Sequence, residues 1–212
     1  MNYAEIFIIS FVIALSGALA PGPLLTAVIY ESSRYGAKSG PFIILGHAIA
    51  EIVIVILIVV GATRFINNPV FFNIIYIIGA GVLFYFGLKI LFSLNKITFA
   101  SISTPQLKSS HLALQGITLS VINPYWSIWW LTIGLGLILS AEKQGLTGLF
   151  FFFSGHIMAD LGWYSLVSWS TAKSKKIMSL RIYKSILGAC GVFLLGFGIY
   201  FLKSAVENIR FP

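Results

Sequence analysis

Gly46-His47-Ala48-Ile49-Ala50-Glu51 and Gly155-His156-Ile157-Met158-Ala159-Asp160 are two copies of one phrase, a glycine-histidine pair with an acid four residues after the histidine. The chain holds six acids, and two of them stand here, each inside a long apolar stretch. The copies lie 109 positions apart, and the same offset joins Ile77-Ile78-Gly79-Ala80 to Ile186-Leu187-Gly188-Ala189 and Gly87 to Gly196. Three matches at one offset point to two halves grown from one three-helix unit. Three is odd, so the second copy enters a membrane from the opposite face, and the expected plan is an inverted 3+3 repeat. The halves are residues 1–94 and 111–212, joined by the polar connection 95–110, in one membrane domain.

Composition supplies the membrane. Of 212 residues, 58% are hydrophobic and 9% charged, and the mean hydropathy is +0.95; a soluble domain carries about 25% charged residues. Six stretches are long and apolar enough to cross a hydrocarbon core of about 30 Å: 5–29, 38–62, 70–94, 112–139, 146–170 and 184–204. They lack the alternation of a barrel strand, so they read as helices. The first resembles a secretory leader ending in Ala-x-Ala, but its start holds Glu5 and no Lys or Arg, and Pro21 follows the supposed cleavage point, so it reads as a retained span. The lone Cys190, a packing residue between glycines, excludes an internal disulfide and a paired-thiol electron carrier.

The net charge of +8 reads as topology rather than as a nucleic-acid surface. Arg34, Lys38, Lys89, Lys96, Lys108, Lys173, Lys175, Lys176, Arg181 and Lys184 fall on one side of the spans. Arg64, Lys143, Lys203 and Arg210 fall on the other. The positive-inside rule then puts the richer side in the cytoplasm and both termini outside a prokaryotic cell membrane.

Two of the spans carry breaks. Ala20-Pro21-Gly22-Pro23 interrupts the first, because each proline lacks an N–H and crowds the carbonyl four residues back, at Gly17 and Leu19. Asn123-Pro124 interrupts the fourth and is expected to free the Ser120 carbonyl. In transporters, paired breaks near the midplane frame substrate and ion sites. Glu51 and Asp160 fall near the centres of spans two and five, where a carboxylate is costly and normally faces the bundle interior or a wet cavity. His47 and His156, one turn earlier, share their faces. Each can bond its acid, relay a proton or fill a polar gap. Gly46 with Ala50, and Gly155 with Ala159, are small pairs that let helices approach closely; Gly79, Gly87, Gly188 and Gly196 read likewise. The five tryptophans, Trp126, Trp129, Trp130, Trp163 and Trp169, read mostly as interface or lipid-facing residues, while Trp163, Tyr164 and Tyr125 stand near the key motifs.

With these residues in place the chain resembles the lysine, threonine and homoserine exporter family, the LysE type. The resemblance rests on Ala20-Pro21-Gly22-Pro23, Gly36, Gly40, the two glycine-histidine phrases and Ile122-Asn123-Pro124, and it covers essentially the whole chain. It departs at Ala50-Glu51, where the family more often has Gly-Asp, and at Tyr125, where a Lys often follows Asn-Pro. The resemblance implies efflux of amino acids or similar metabolites driven by the proton motive force. Glu51, Asp160, Asn123, His47 and His156 are the candidate substrate and proton site, framed by Pro21, Gly22, Pro23 and Pro124. A divalent-cation exporter using His47, Glu51, His156 and Asp160 is the alternative. No catalytic constellation stands apart from these groups, so an enzyme is not expected. A small molecule and the lipid bilayer are the expected partners, with no nucleic acid, no cofactor and no resident metal. The oligomeric state stays open, a homodimer included.

Overall fold

The computed structural model describes residues 2–20, 22–61, 69–96, 109–174 and 180–210. Among these it is all helix, without strands. Pro21, Arg64, Lys108, Lys175, Lys176 and most of the 95–110 connection lie outside the described residues.

Helix α1 (Tyr3–Ala18) opens on Asn2, whose side chain accepts from the Glu5 amide at 2.9 Å while Glu5 accepts from the Asn2 amide at 3.0 Å. This reciprocal cap satisfies donors that a helix start leaves free. Helix α2 (Pro23–Tyr35) begins at its proline and is bent from α1 by 78°. It ends at Gly36, whose φ of 92° favours glycine. Helix α3 (Ser39–Val59) carries the first phrase and α4 (Pro69–Ser93) follows. In the second half, α5 (Ser109–Val121) gives way to α6 (Pro124–Trp129), a π-helical turn at Trp130–Gly134 and α7 (Leu135–Glu142). Helix α8 (Gly145–Ser174) carries the second phrase, and α9 (Leu180–Arg210) closes the chain.

Among the described residues, four helical stretches are long and apolar enough to cross a bilayer alone, and five are if α1 and α2 count as one bent span. The remaining stretch expected from the sequence, the fifth at 146–170, lies in α8, which has the length, 30 residues. His156 and Asp160 lower its hydropathy. Large apolar side chains face outward, among them Val60, Phe92 and Leu146 at 69%, 72% and 85% exposure. A soluble monomer rarely presents so continuous an apolar surface; a lipid-facing wall does.

The main packing pairs are α1 with α8, α3 with α5 and α4 with α9. Close approach depends on small residues. A Cβ at Gly46 would collide with the Ala113 carbonyl of α5, one at Gly116 with the Ile43 carbonyl of α3, and one at Gly155 with the Phe7 carbonyl of α1. Between α4 and α9, Gly87 faces Leu195 and Gly191, whereas Gly196 has open space beside it and is no packing notch. At the α2–α3 corner, Ser168 of α8 bonds Ser32 at 2.7 Å, the Gly40 amide at 3.0 Å and the Ala37 carbonyl at 2.8 Å.

Candidate functional site

Four residues separate each histidine from its acid, so each pair shares one helix face, and the packing turns the two faces toward one another. Glu51, Asp160, His156 and His47 are 1%, 3%, 4% and 6% exposed. Glu51 Oε1 lies 3.0 Å from His47 Nε2 on its own helix, 3.1 Å from His156 Nε2 across on α8, and 3.3 Å from Trp130 Nε1, which donates to it. Asp160 Oδ2 is held more loosely, 3.4 Å from His156 Nε2 and 3.7 Å from His47 Nε2. Those separations allow attraction without a well-formed hydrogen bond. Glu51 Oε2 and His156 Nδ1 are buried without a hydrogen-bond partner.

The hydrogen of Ser120 settles one tautomer. Its Oγ lies 2.7 Å from the Gly116 carbonyl and 2.6 Å from His47 Nδ1. A carbonyl can only accept and a hydroxyl has one hydrogen. Ser120 therefore donates to Gly116, and His47 Nδ1–H donates to Ser120. The remaining face of His47, Nε2, then meets Glu51 across a contact that closes only with a proton in it, on the ring or on the carboxyl.

These four side chains line a cavity of about 210 Å³. Both helix breaks border it, through Ala20, Gly22 and Pro23 on one side and Asn123 on the other. The breaks are built alike. Gly22 and Asn123 precede a proline at the first helical position, and their carbonyls accept from the Thr26 and Ser127 amides at 3.1 and 3.2 Å. The Asn123 side chain caps α6 by accepting from the Tyr125 amide at 3.1 Å. The Ser120 carbonyl, expected to be free, accepts from the Asn123 amide at 3.0 Å, and the Gly17 carbonyl from the Ala20 amide at 3.1 Å. In both cases a tightened last turn satisfies the group that proline displaces. Pro124 is buried at the start of α6; Gly46, Ala50, Gly155 and Ala159 are buried on the same two helices as the acids.

A family model described as LysE type translocator matches residues 15–205. The chain belongs to that family. Among its relatives is "Putative amino acid efflux protein YcgF" of Bacillus subtilis (strain 168), 25% identical over 206 residues, which is 97% of this chain and 99% of the relative. Another is "Leucine efflux protein" of Klebsiella pneumoniae, 28% identical over 127 residues, 58% of this chain and 60% of the relative. No solved structure matches the chain. With its long apolar helices, this LysE-type translocator is a multi-pass membrane protein.

Several residues lining this cavity are not marked as such by the sequence. Trp129 and Trp130 are not lipid-facing: they are 6% and 0% exposed, line the cavity with Trp126, and pack their rings 5.0 and 4.9 Å from the His156 ring. Consecutive residues of an α-helix point apart, and the π turn from Trp130 is where the chain departs from that geometry. Of the three aromatics expected near the key motifs as cavity residues, Tyr164 and Tyr125 line the cavity and Trp163 is not among its lining, while Trp169 is exposed, under Lys173. Glu31 was overlooked. It is 4% exposed on α2, bonded by the Gln115 side chain and close to Arg34, Lys89 and His111. Arg34 is its neighbour on α2, but Gln115, Lys89 and His111 come from other helices, which no local pattern records.

Proposed function

We propose that the protein is a secondary transporter that exports amino acids or related small metabolites across the cell membrane, coupled to the proton motive force. One observation carries this reading: two related histidine-acid pairs, buried on facing helices, meet in a cavity that both helix breaks border. At about 210 Å³ the cavity is smaller than the roughly 300–1,000 Å³ of drug-sized pockets, which suits a single small metabolite. The names of the relatives support amino acids as the cargo.

An inverted 3+3 arrangement of residues 1–94 and 111–212 is supported by the packing. Exchanging the halves turns the α1–α8 pair into the α5–α3 pair and returns α4–α9 to itself. Both termini lie outside in this reading. Glu51 and Asp160 hold the substrate ammonium, carry the proton, or do both in turn. The proton lodged between His47 and Glu51 closes the tighter contact, and the more loosely held Asp160 has the freedom to exchange a proton with the gradient. A force of about 150 mV is worth about 3.5 kcal/mol per charge, so one proton sustains a gradient of roughly a few hundredfold.

The metal reading has three donors, on His47, Glu51 and Asp160, within 4.8 Å of one another, but the relatives give it no support. Purified protein in liposomes, loaded with an amino-acid panel or with divalent cations and given a pH gradient, tests the choice. Amino-acid efflux that collapses without the gradient and in Glu51→Gln or Asp160→Asn supports the proposal. Flux of metal alone, or efflux indifferent to both substitutions, overturns it.

A further inference from the structure

An α-amino acid brings a carboxylate as well as an ammonium. Among the residues lining the cavity there is no Lys or Arg, and the Asn123 side chain, oriented by the cap its oxygen accepts, offers its amide NH2 as one neutral donor. The wall does hold two further donors. The indole N–H groups of Trp126 and Trp129 are both buried and have no acceptor. Trp130, the third indole of the wall, has already given its N–H to Glu51. Buried donors are nearly always satisfied, so two orphans on one cavity wall call for an explanation.

Their placement supplies one. Trp129 packs against His156, and its Nε1 faces Gly17, just before the break of the first span. The same imidazole meets the two acids, whose Glu51 Oε2 and Asp160 Oδ2 are orphaned acceptors. The cavity is therefore bordered by unpaired acceptors on α3 and α8 and by unpaired donors on α6. That polarity matches a zwitterion.

We propose that Trp126 and Trp129 form the carboxylate subsite of the translocator, receiving the substrate carboxylate through their indole N–H groups while the acids receive its ammonium. This rests on the amino-acid reading above and makes it more specific. A molecule with the ammonium but without the carboxylate would use only half of the site.

Binding by purified protein tests it, with leucine as the first probe and isoamylamine, the same molecule without its carboxylate, as the control. A panel of the other protein amino acids, each against its own decarboxylated amine, follows where leucine is not bound. Phe keeps the ring and removes the donor, so Trp126→Phe and Trp129→Phe should each weaken amino-acid binding about tenfold, the loss of one bond to a charged group, while amine binding stays unchanged. Trp130→Phe should weaken both probes alike, because its donor serves Glu51. Thermal melting of each variant separates lost folding from lost binding, and a variant that melts early is replaced by His at the same position, which restores a ring N–H. Unchanged amino-acid binding in both Phe variants, or parallel loss of acid and amine, overturns the subsite and leaves the export proposal standing. Wild-type protein that binds no amino acid in the panel overturns the amino-acid reading on which the subsite rests.

Discussion

Around Glu51, three ring nitrogens converge on one carboxylate oxygen at 3.0, 3.1 and 3.3 Å, whereas Asp160, at the matching place in the second phrase, meets two imidazoles at 3.4 and 3.7 Å. The two acids close matching sequence phrases and face one cavity, yet one is held closely and the other loosely. The difference is a methylene. The longer Glu arm crosses to the histidine of the opposite helix, and the shorter Asp does not close the equivalent distance. Matching positions in the two phrases thus hold one acid in close contact with both helices and one with room to exchange its partner.

The largest effect should follow from cutting the anchor. Glu51→Gln removes the charge that both histidines face, and breaking a buried pair by removing one partner costs about 3–5 kcal/mol. We expect an early melting transition in detergent together with loss of efflux. Glu51→Asp sharpens the point, since it keeps the charge and shortens the arm. It should retain the contact to His47 on the same helix, lose the contact to His156, and fall between wild type and Glu51→Gln. A Glu51→Asp variant as stable as wild type would show that reach is not what distinguishes the two acids.

Packing should restore the symmetry that the acids have lost. Gly46 and Gly155 each lie against a backbone carbonyl of the helix they pack on, α5 and α1. Gly46→Ala and Gly155→Ala should therefore each cost about 1–3 kcal/mol through overpacking, with neither half much more sensitive than the other. Gly162→Ala, which meets nothing within 4 Å, is the control. Melting temperatures decide it; one sensitive half and one tolerant half would confine the equivalence to sequence.

A smaller effect belongs to Ser120. In Ser120→Ala the His47 Nδ1–H loses its acceptor, at about 1 kcal/mol for a hydrogen bond of ordinary strength. The tautomer is then no longer fixed, so efflux should slow severalfold while leucine binding changes little. Unaltered efflux would mean that the ring orientation is held by its carboxylate contacts alone.

How much of this could be read from the chain depends on what local sequence can encode. The two phrases put His47 beside Glu51 and His156 beside Asp160 because a four-residue step is a helix neighbour. Asn123-Pro124 and Gly22-Pro23 mark helix starts because a capping residue followed by proline does so anywhere. The crossing contact from Glu51 to His156 is set by how α3 lies on α8, which no local pattern records. Trp129 and Trp130 were read as lipid-facing for the same reason, since aromatics near a break have no periodicity to place them, and the π turn alters their direction. The breaks also differ beyond their matching starts: 13 residues of helix follow the first and 19 the second, so the repeat is clear at the acids and blurred at the breaks.

The last test reverses the usual link between stability and activity. Asp160 makes only long contacts, so Asp160→Asn should change the melting transition little, by less than about 1 kcal/mol, the size of one ordinary hydrogen bond. Desolvation favours a neutral group at this depth, and the amide is neutral at every pH, so stability can even rise slightly. Efflux should nevertheless be lost, because an amide can neither release a proton nor attract an ammonium as a carboxylate does. A stable but inactive Asp160→Asn protein beside an unstable and inactive Glu51→Gln protein would assign anchoring to one acid and exchange to the other. If Asp160→Asn melts as early as Glu51→Gln, both acids are anchors, and the exchanging group must be sought among the histidines.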